Sequence, residues 1–262
     1  MKKSICLFIL LWNTIGFSQK STAIPLKSKP LLAETFVGFD GLGNYYYIKN
    51  NVFTKQNDTQ IWEYKNLSLG KITTVDIINP LKIILFYESF NVIITLDNQL
   101  NEIQKINFSD GNNNAIIVSR IGMASKNQFW VFNTLNQQIG LYDYLKNTYN
   151  PLGQPIQEVI KYSQSDFNYF LWIDAKNRLY SCDFFGKINF ITTVPQFDKI
   201  QIIDTTSFIF LKDKKLFIKN EIAQTISEIQ IVEKSFESFH YKDQILAIFT
   251  NQVITNYKII IP

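Results

Sequence analysis

The residue types that usually carry chemistry are scarce in this chain. Its 262 residues include one histidine, His240, and two cysteines, Cys6 and Cys182. A zinc centre needs several His or Cys ligands, and none can be assembled from so few. His240 could act as a general base. No nucleophile motif accompanies it, so it reads as a structural residue between Phe239 and Tyr241. Cys182 falls in the apolar run from Leu179 to Asp183, where a free thiol behaves as a small hydrophobe. With ten glycines in all, no G-x-G-x-x-G or Walker pattern occurs, so no phosphate cradle is expected. The expectation is therefore no catalytic residue, no metal ligand and no cofactor.

Carboxylates are the remaining chemical resource. Asp40, Asp76, Asp97, Asp143, Asp174 and Asp183 recur near the ends of apolar runs. Calcium wants six to eight oxygen ligands, often at alternate positions. Asp40-Gly41-Leu42-Gly43-Asn44 has the polarity for this but lacks a dense acidic cluster. It reads as an Asp-Gly turn between two strands. Asn57-Asp58-Thr59 and the Asn run at 112–114 read as a turn and a loop. The better candidates are contact residues. Phe90, in Glu88-Ser89-Phe90-Asn91, and Phe184 and Phe185, before Gly186, lie outside the expected strands. Aromatics exposed at turns can anchor a partner on one rim, although such rings can also fold back onto the core. Lys212, Lys214 and Lys215 around Asp213 could meet an anionic partner or simply form a solvated turn.

These residues need elements to hold them. Apolar residues make up 46% and charged residues 18% of the chain, which excludes intrinsic disorder. At the front, Lys2 and Lys3 precede an apolar stretch from Ile5 to Trp12, and Gly16-Phe17-Ser18 offers small residues to a signal peptidase. Cleavage is expected between Ser18 and Gln19, giving residues 1–18 as signal peptide and 19–262 as one domain. The alternative is an uncleaved anchor, but the run is shorter than the roughly 20 residues of a spanning helix. Cys6 is misplaced for lipid attachment. Removing two lysines takes the net charge from +4 to +2, too weak a bias for nucleic acid. Cys182 is then the only thiol, so no internal disulfide is possible. No later segment reaches transmembrane length.

Beyond residue 34 the chain repeats. Runs rich in Ile, Val, Phe, Tyr and Thr alternate with polar turns. Helical periodicity is absent, and only Gln154 to Lys161 is ambiguous. Tyr46, Phe86, Trp130, Trp172, Phe210 and Ile248 sit at matching points of successive apolar runs, spaced 40, 44, 42, 38 and 38 apart. Short strands at a period near 40 are the mark of a β-propeller blade. Mature length divided by six gives about 41 residues per unit. The expected fold is all-β, a six-bladed propeller with blades at 34–66, 71–110, 115–156, 157–195, 197–232 and 233–262. Seven blades, at about 35 residues each, is the runner-up. The sixth unit is a strand short, and Thr22 to Leu26 is expected to close the ring.

The unit from Asn79-Pro80-Leu81-Lys82-Ile83-Ile84-Leu85-Phe86-Tyr87 through Asp97-Asn98-Gln99-Leu100-Asn101-Glu102-Ile103 resembles blades of exported bacterial propellers. With the signal ending Gly16-Phe17-Ser18-Gln19, the chain is similar to envelope propellers that serve outer-membrane machinery. These include the periplasmic plug of the type nine secretion translocon and the propeller of the barrel-assembly machine. The resemblance covers residues 34–262 at the level of repeat shape and carries over no catalytic residue. It implies a non-enzymatic interaction subunit in the periplasm, peripheral to the outer membrane, with a large outer-membrane barrel as partner. The ending Lys258-Ile259-Ile260-Ile261-Pro262 shows no sorting domain, so retention in the periplasm is expected. The competing expectation is a lactonase-like hydrolase or sugar-binding propeller, with three or more acidic or Asn side chains converging on a channel metal.

Overall fold

β-Branched and aromatic residues crowd runs of five or six here, and they pair as strands because such side chains pack well on a pleated surface. A computed structural model describes residues 21–110, 115–233, 235–250 and 252–260. The signal segment and the Asn run at 112–114 lie outside the described residues. The rest forms six sheets whose blade strands pair antiparallel, a six-bladed β-propeller. Apart from Glu88–Phe90, one 3-10 turn, no described residue is helical. The ambiguous stretch from Gln154 is irregular up to the strand that starts at Ile160.

Two N-terminal strands, β1 (Ser21–Thr22) and β2 (Ile24–Pro30), precede the first blade. Blade one holds β3 (Thr35–Phe39), β4 (Tyr45–Lys49), β5 (Val52–Gln56) and β6 (Ile61–Tyr64). Blade two holds β7 (Thr74–Asp76), β8 (Ile83–Tyr87), β9 (Val92–Leu96) and β10 (Glu102–Asn107). Blade three holds β11 (Val118–Met123), β12 (Gln128–Asn133), β13 (Gln138–Asp143) and β14 (Thr148–Leu152). In blade four follow β15 (Ile160–Ser165), β16 (Tyr169–Asp174), β17 (Arg178–Asp183) and β18 (Ile188–Thr193). Blade five has β19 (Lys199–Ile202), β20 (Ser207–Lys212), β21 (Lys215–Asn220) and β22 (Thr225–Gln230). Blade six has β23 (Ser238–Lys242), β24 (Ile245–Phe249) and β25 (Val253–Lys258).

The ring closes through the N-terminus, but by a later and longer strand than Thr22–Leu26. β2 pairs antiparallel with β25, running Ile24 against Lys258 to Pro30 against Val253. Just before it, Ser21 and Thr22 pair in parallel with Ile229 and Gln230 of blade five. Ala23 between them is buried in the seam of blades five and six. Lys27 and Lys29 then reach Asp58 in blade one, at 3.0 and 3.6 Å. One short segment therefore ties three blades together.

The core is divided among the blade seams. In β8, Ile84 and Phe86 pack toward blade three, while Ile83, Leu85 and Tyr87 pack toward blade one. β12 does the same, sending Phe129 and Val131 back toward blade two and Trp130 forward toward blade four. Period-two alternation here separates two seams, not core from solvent. That is why the second strands read as unbroken apolar runs. The six spaced anchors all lie on second strands and are buried.

Candidate functional site

Most of the recurring aspartates build turns. Asp40 Oδ1 accepts from the Leu42 and Asn44 amides, and Oδ2 from Asn44 Nδ2 and the Tyr46 hydroxyl, all at 2.8–3.0 Å. Burial alone would raise its pKa, but these donors hold the carboxyl below its usual range. Its oxygens are already engaged, so the Asp40–Asn44 turn is a hairpin and not a cation loop. Asp97 takes the amides of Gln99 and Asn101. Asp143 takes those of Leu145 and Lys146. Asp174 takes those of Lys176 and Arg178, and Asp183 those of Phe185 and Lys187. Asn57 Oδ1 organises its own turn through Thr59 and Gln60.

Asp76 is different. It lies on β7, the inner strand of blade two, and faces the central channel. The channel holds about 540 Å³ and is walled by the inner strands of all six blades. One register position recurs on these strands: Gly38, Asp76, Gly122, Gln164, Gln201 and His240. The four with side chains, Asp76, Gln164, Gln201 and His240, each reach toward the next blade, to the residue just after that blade's own member of the set. Gln164 donates to the Ile202 carbonyl at 2.6 Å and accepts from the Ile202 amide at 3.1 Å. Gln201 does the same with Tyr241, at 2.7 Å in each direction. Asp76 Oδ2 accepts from the Met123 amide at 2.7 Å, and Oδ1 from Ile78 at 2.8 Å. His240 meets Phe39 edge to face, with ring centroids 5.1 Å apart. The two glycines sit where space runs out. A Cβ at Gly122 would fall 1.8 Å from Ser165 Oγ, and one at Gly38 would fall 2.9 Å from the His240 ring.

This belt joins blades around the axis, and sequence reading missed it because its members share a register and not a residue type. Its two titratable members have shifted pKa values. Burial drives the Asp76 carboxyl upward against the pull of the Met123 and Ile78 amides. Burial and the nearby Lys242 charge push His240 down to about 4. His240 Nδ1 is buried without a hydrogen-bond partner. Among the described residues, no three His, Cys, Asp or Glu side chains group to hold a metal. Cys182 is buried on β17 in the seam of blades three and four, and burial raises its thiol to about 12.

The expected contact residues do not form one patch. Phe90 and the lysine hairpin occupy turns between second and third strands, whereas Phe184 and Phe185 lie between a third and a fourth. Successive turns of a meander fall at opposite ends of its strands, so these groups are on different sides of the ring. Phe90 is half-exposed and lies against Gly70. Lys215 pairs with Glu228 at 3.3 Å, while Lys212 and Lys214 are exposed. Phe184 folds back onto Trp130, centroids 4.9 Å apart. Phe185 does not fold back and is 94% exposed.

No protein-family model and no curated protein matches the sequence. Solved β-propellers do match the structure. A streptogramin B lyase superposes with a TM-score of 0.56 at 13% identity, covering 90% of this chain and 98% of that one. BamB from Moraxella catarrhalis gives 0.53 at 10% identity, covering 90% and 99%. PorZ, a surface component of the type IX secretion system of Porphyromonas gingivalis, gives 0.50 at 13% identity, covering 85% of this chain and 32% of PorZ. Identities this low show the fold alone, a fold shared by a lyase and by a secretion-system component.

Proposed function

We propose that this chain is an exported periplasmic propeller that acts by docking, as a subunit of an outer-membrane secretion or assembly complex whose partner is a large barrel protein. One observation carries the reading: Phe184 is clamped on Trp130 while Phe185, next to it, is held almost wholly in water. Asp183 caps the same turn by accepting from the Phe185 and Lys187 amides, and Gly186 turns the chain at positive φ. A rigid turn that presents a bare aromatic ring is the form of a contact anchor. PorZ, a surface component of a secretion system, is a fold neighbour that supports an envelope role. The competing channel enzyme asks for three or more converging acidic or Asn side chains, and among the described residues the channel lining holds two, Asp76 and Asp243. Phe185→Ala should lose the co-purifying partner and keep the wild-type melting temperature. A variant that keeps its partner removes Phe185 as the anchor.

A further inference from the structure

Cavities of about 540 Å³, the size of this channel, are large enough for small-molecule sites. The channel wall is mixed: Val37, Ile77, Ile121 and Ile202 supply aliphatic side chains among polar neighbours such as Ser163 and Gln164. Polar valences around the belt are unevenly used. Gln164 and Gln201 each give and take a hydrogen bond. Asp76 only accepts, one bond per oxygen, so each oxygen keeps acceptor capacity. Among the described residues Asp76 forms no ion pair; its partners are the Ile78 and Met123 amides. Holding a partly buried carboxyl ionised without a counter-charge is costly, as its raised pKa reflects, and a bound cation would remove that cost. Beyond Ile77, His240 holds an unpartnered Nδ1 and stays neutral, adding no positive charge. The lining therefore sets Asp76 and Asp243 against Lys242 alone.

We infer that the central channel binds a compact organic cation, an ammonium or guanidinium on a short aliphatic stem, with its head on the Asp76 carboxylate and its stem along Val37, Ile77 and Ile121. The head supplies the charge that Asp76 lacks, and the wall takes the stem. A hard metal ion would need about six oxygens, and the described residues offer no such group. The site stands apart from the Phe185 rim, so failure of either leaves the other intact.

Calorimetric titration of the full chain with n-butylammonium chloride tests this, with 1-butanol and sodium butyrate as matched controls. The ammonium should bind saturably at one site, with a dissociation constant on the order of a millimolar for so few atoms. The alcohol and the carboxylate should not bind. Asp76→Asn should weaken binding by about tenfold or more, a loss of about 1.4 kcal/mol or more. Ser163→Phe, which adds a bulky ring to the channel wall at blade four, should abolish it. In the wild type, the Asp76 carboxyl carbon resonance should move with the same midpoint. If Asp76→Asn fails to fold, Ser163→Phe and the resonance decide. Equal behaviour of the ammonium and its controls overturns the inference, as does binding that survives both substitutions.

Discussion

Protonating His240 means placing a cation in a buried ring site beside Phe39 and Lys242. Its folded pKa of about 4 lies below the 6.5 of an unfolded histidine. The unfolded chain therefore binds the extra proton between those values, and stability rises with pH across that window. As pH falls from 6.5 toward 4, the fold should lose up to about 3 kcal/mol through this group. Asp76 acts with the opposite sign: its raised pKa favours the folded state at low pH, and that benefit fades as pH rises through the folded value. Comparing wild type with His240→Gln separates the two. As pH drops from 7 to 4, denaturant midpoints should fall further in the wild type than in the variant; parallel profiles would remove His240 from the balance. The belt glycines give a second residue-scale prediction. Gly122→Ala drives a methyl into Ser165 Oγ and should cost about 1–3 kcal/mol. Adding Ser165→Gly should recover much of that loss, because the two sites share one contact.

At the scale of elements, the second strands were legible, and so was closure by an N-terminal strand, but not that strand's bounds. Tyr46, Phe86, Trp130, Trp172, Phe210 and Ile248 stand out because a strand buried on both faces needs an unbroken run of large apolar side chains. β2 needs no such run. Its residues are mostly exposed, it carries Pro25 and Pro30, and it is held by the β25 ladder with a bulge between Pro25 and Lys27. A strand of that composition has no periodicity to read, so its start and length are not legible from sequence. It nonetheless closes the ring, so deleting residues 19–30 should sharply lower the melting temperature. An unchanged melt would mean that blade six is stable without β2. The seams make a matching prediction. Trp130→Ala empties a fully buried site in the seam of blades three and four and should cost about 3–5 kcal/mol, measured by urea unfolding.

For the whole molecule, composition pointed to architecture before activity. Fifteen percent aromatic content is spent largely inside six seams, and Phe184 joins that core through Trp130. Whether a given turn aromatic folds back depends on twist and on neighbours hundreds of atoms away, so Phe184 and Phe185 looked alike in sequence and separated only in three dimensions. The belt was hidden for a related reason: Gly, Asp, Gln and His do one job at one register, and no residue pattern announces it. The docking account rests on what the ring leaves exposed. Affinity purification of the tagged chain from solubilised envelope membranes tests it most directly. The account predicts stoichiometric recovery of a large outer-membrane barrel protein, lost on Phe185→Ala. Recovery of the chain alone, as a monomer in every detergent that keeps such barrels intact, would contradict it.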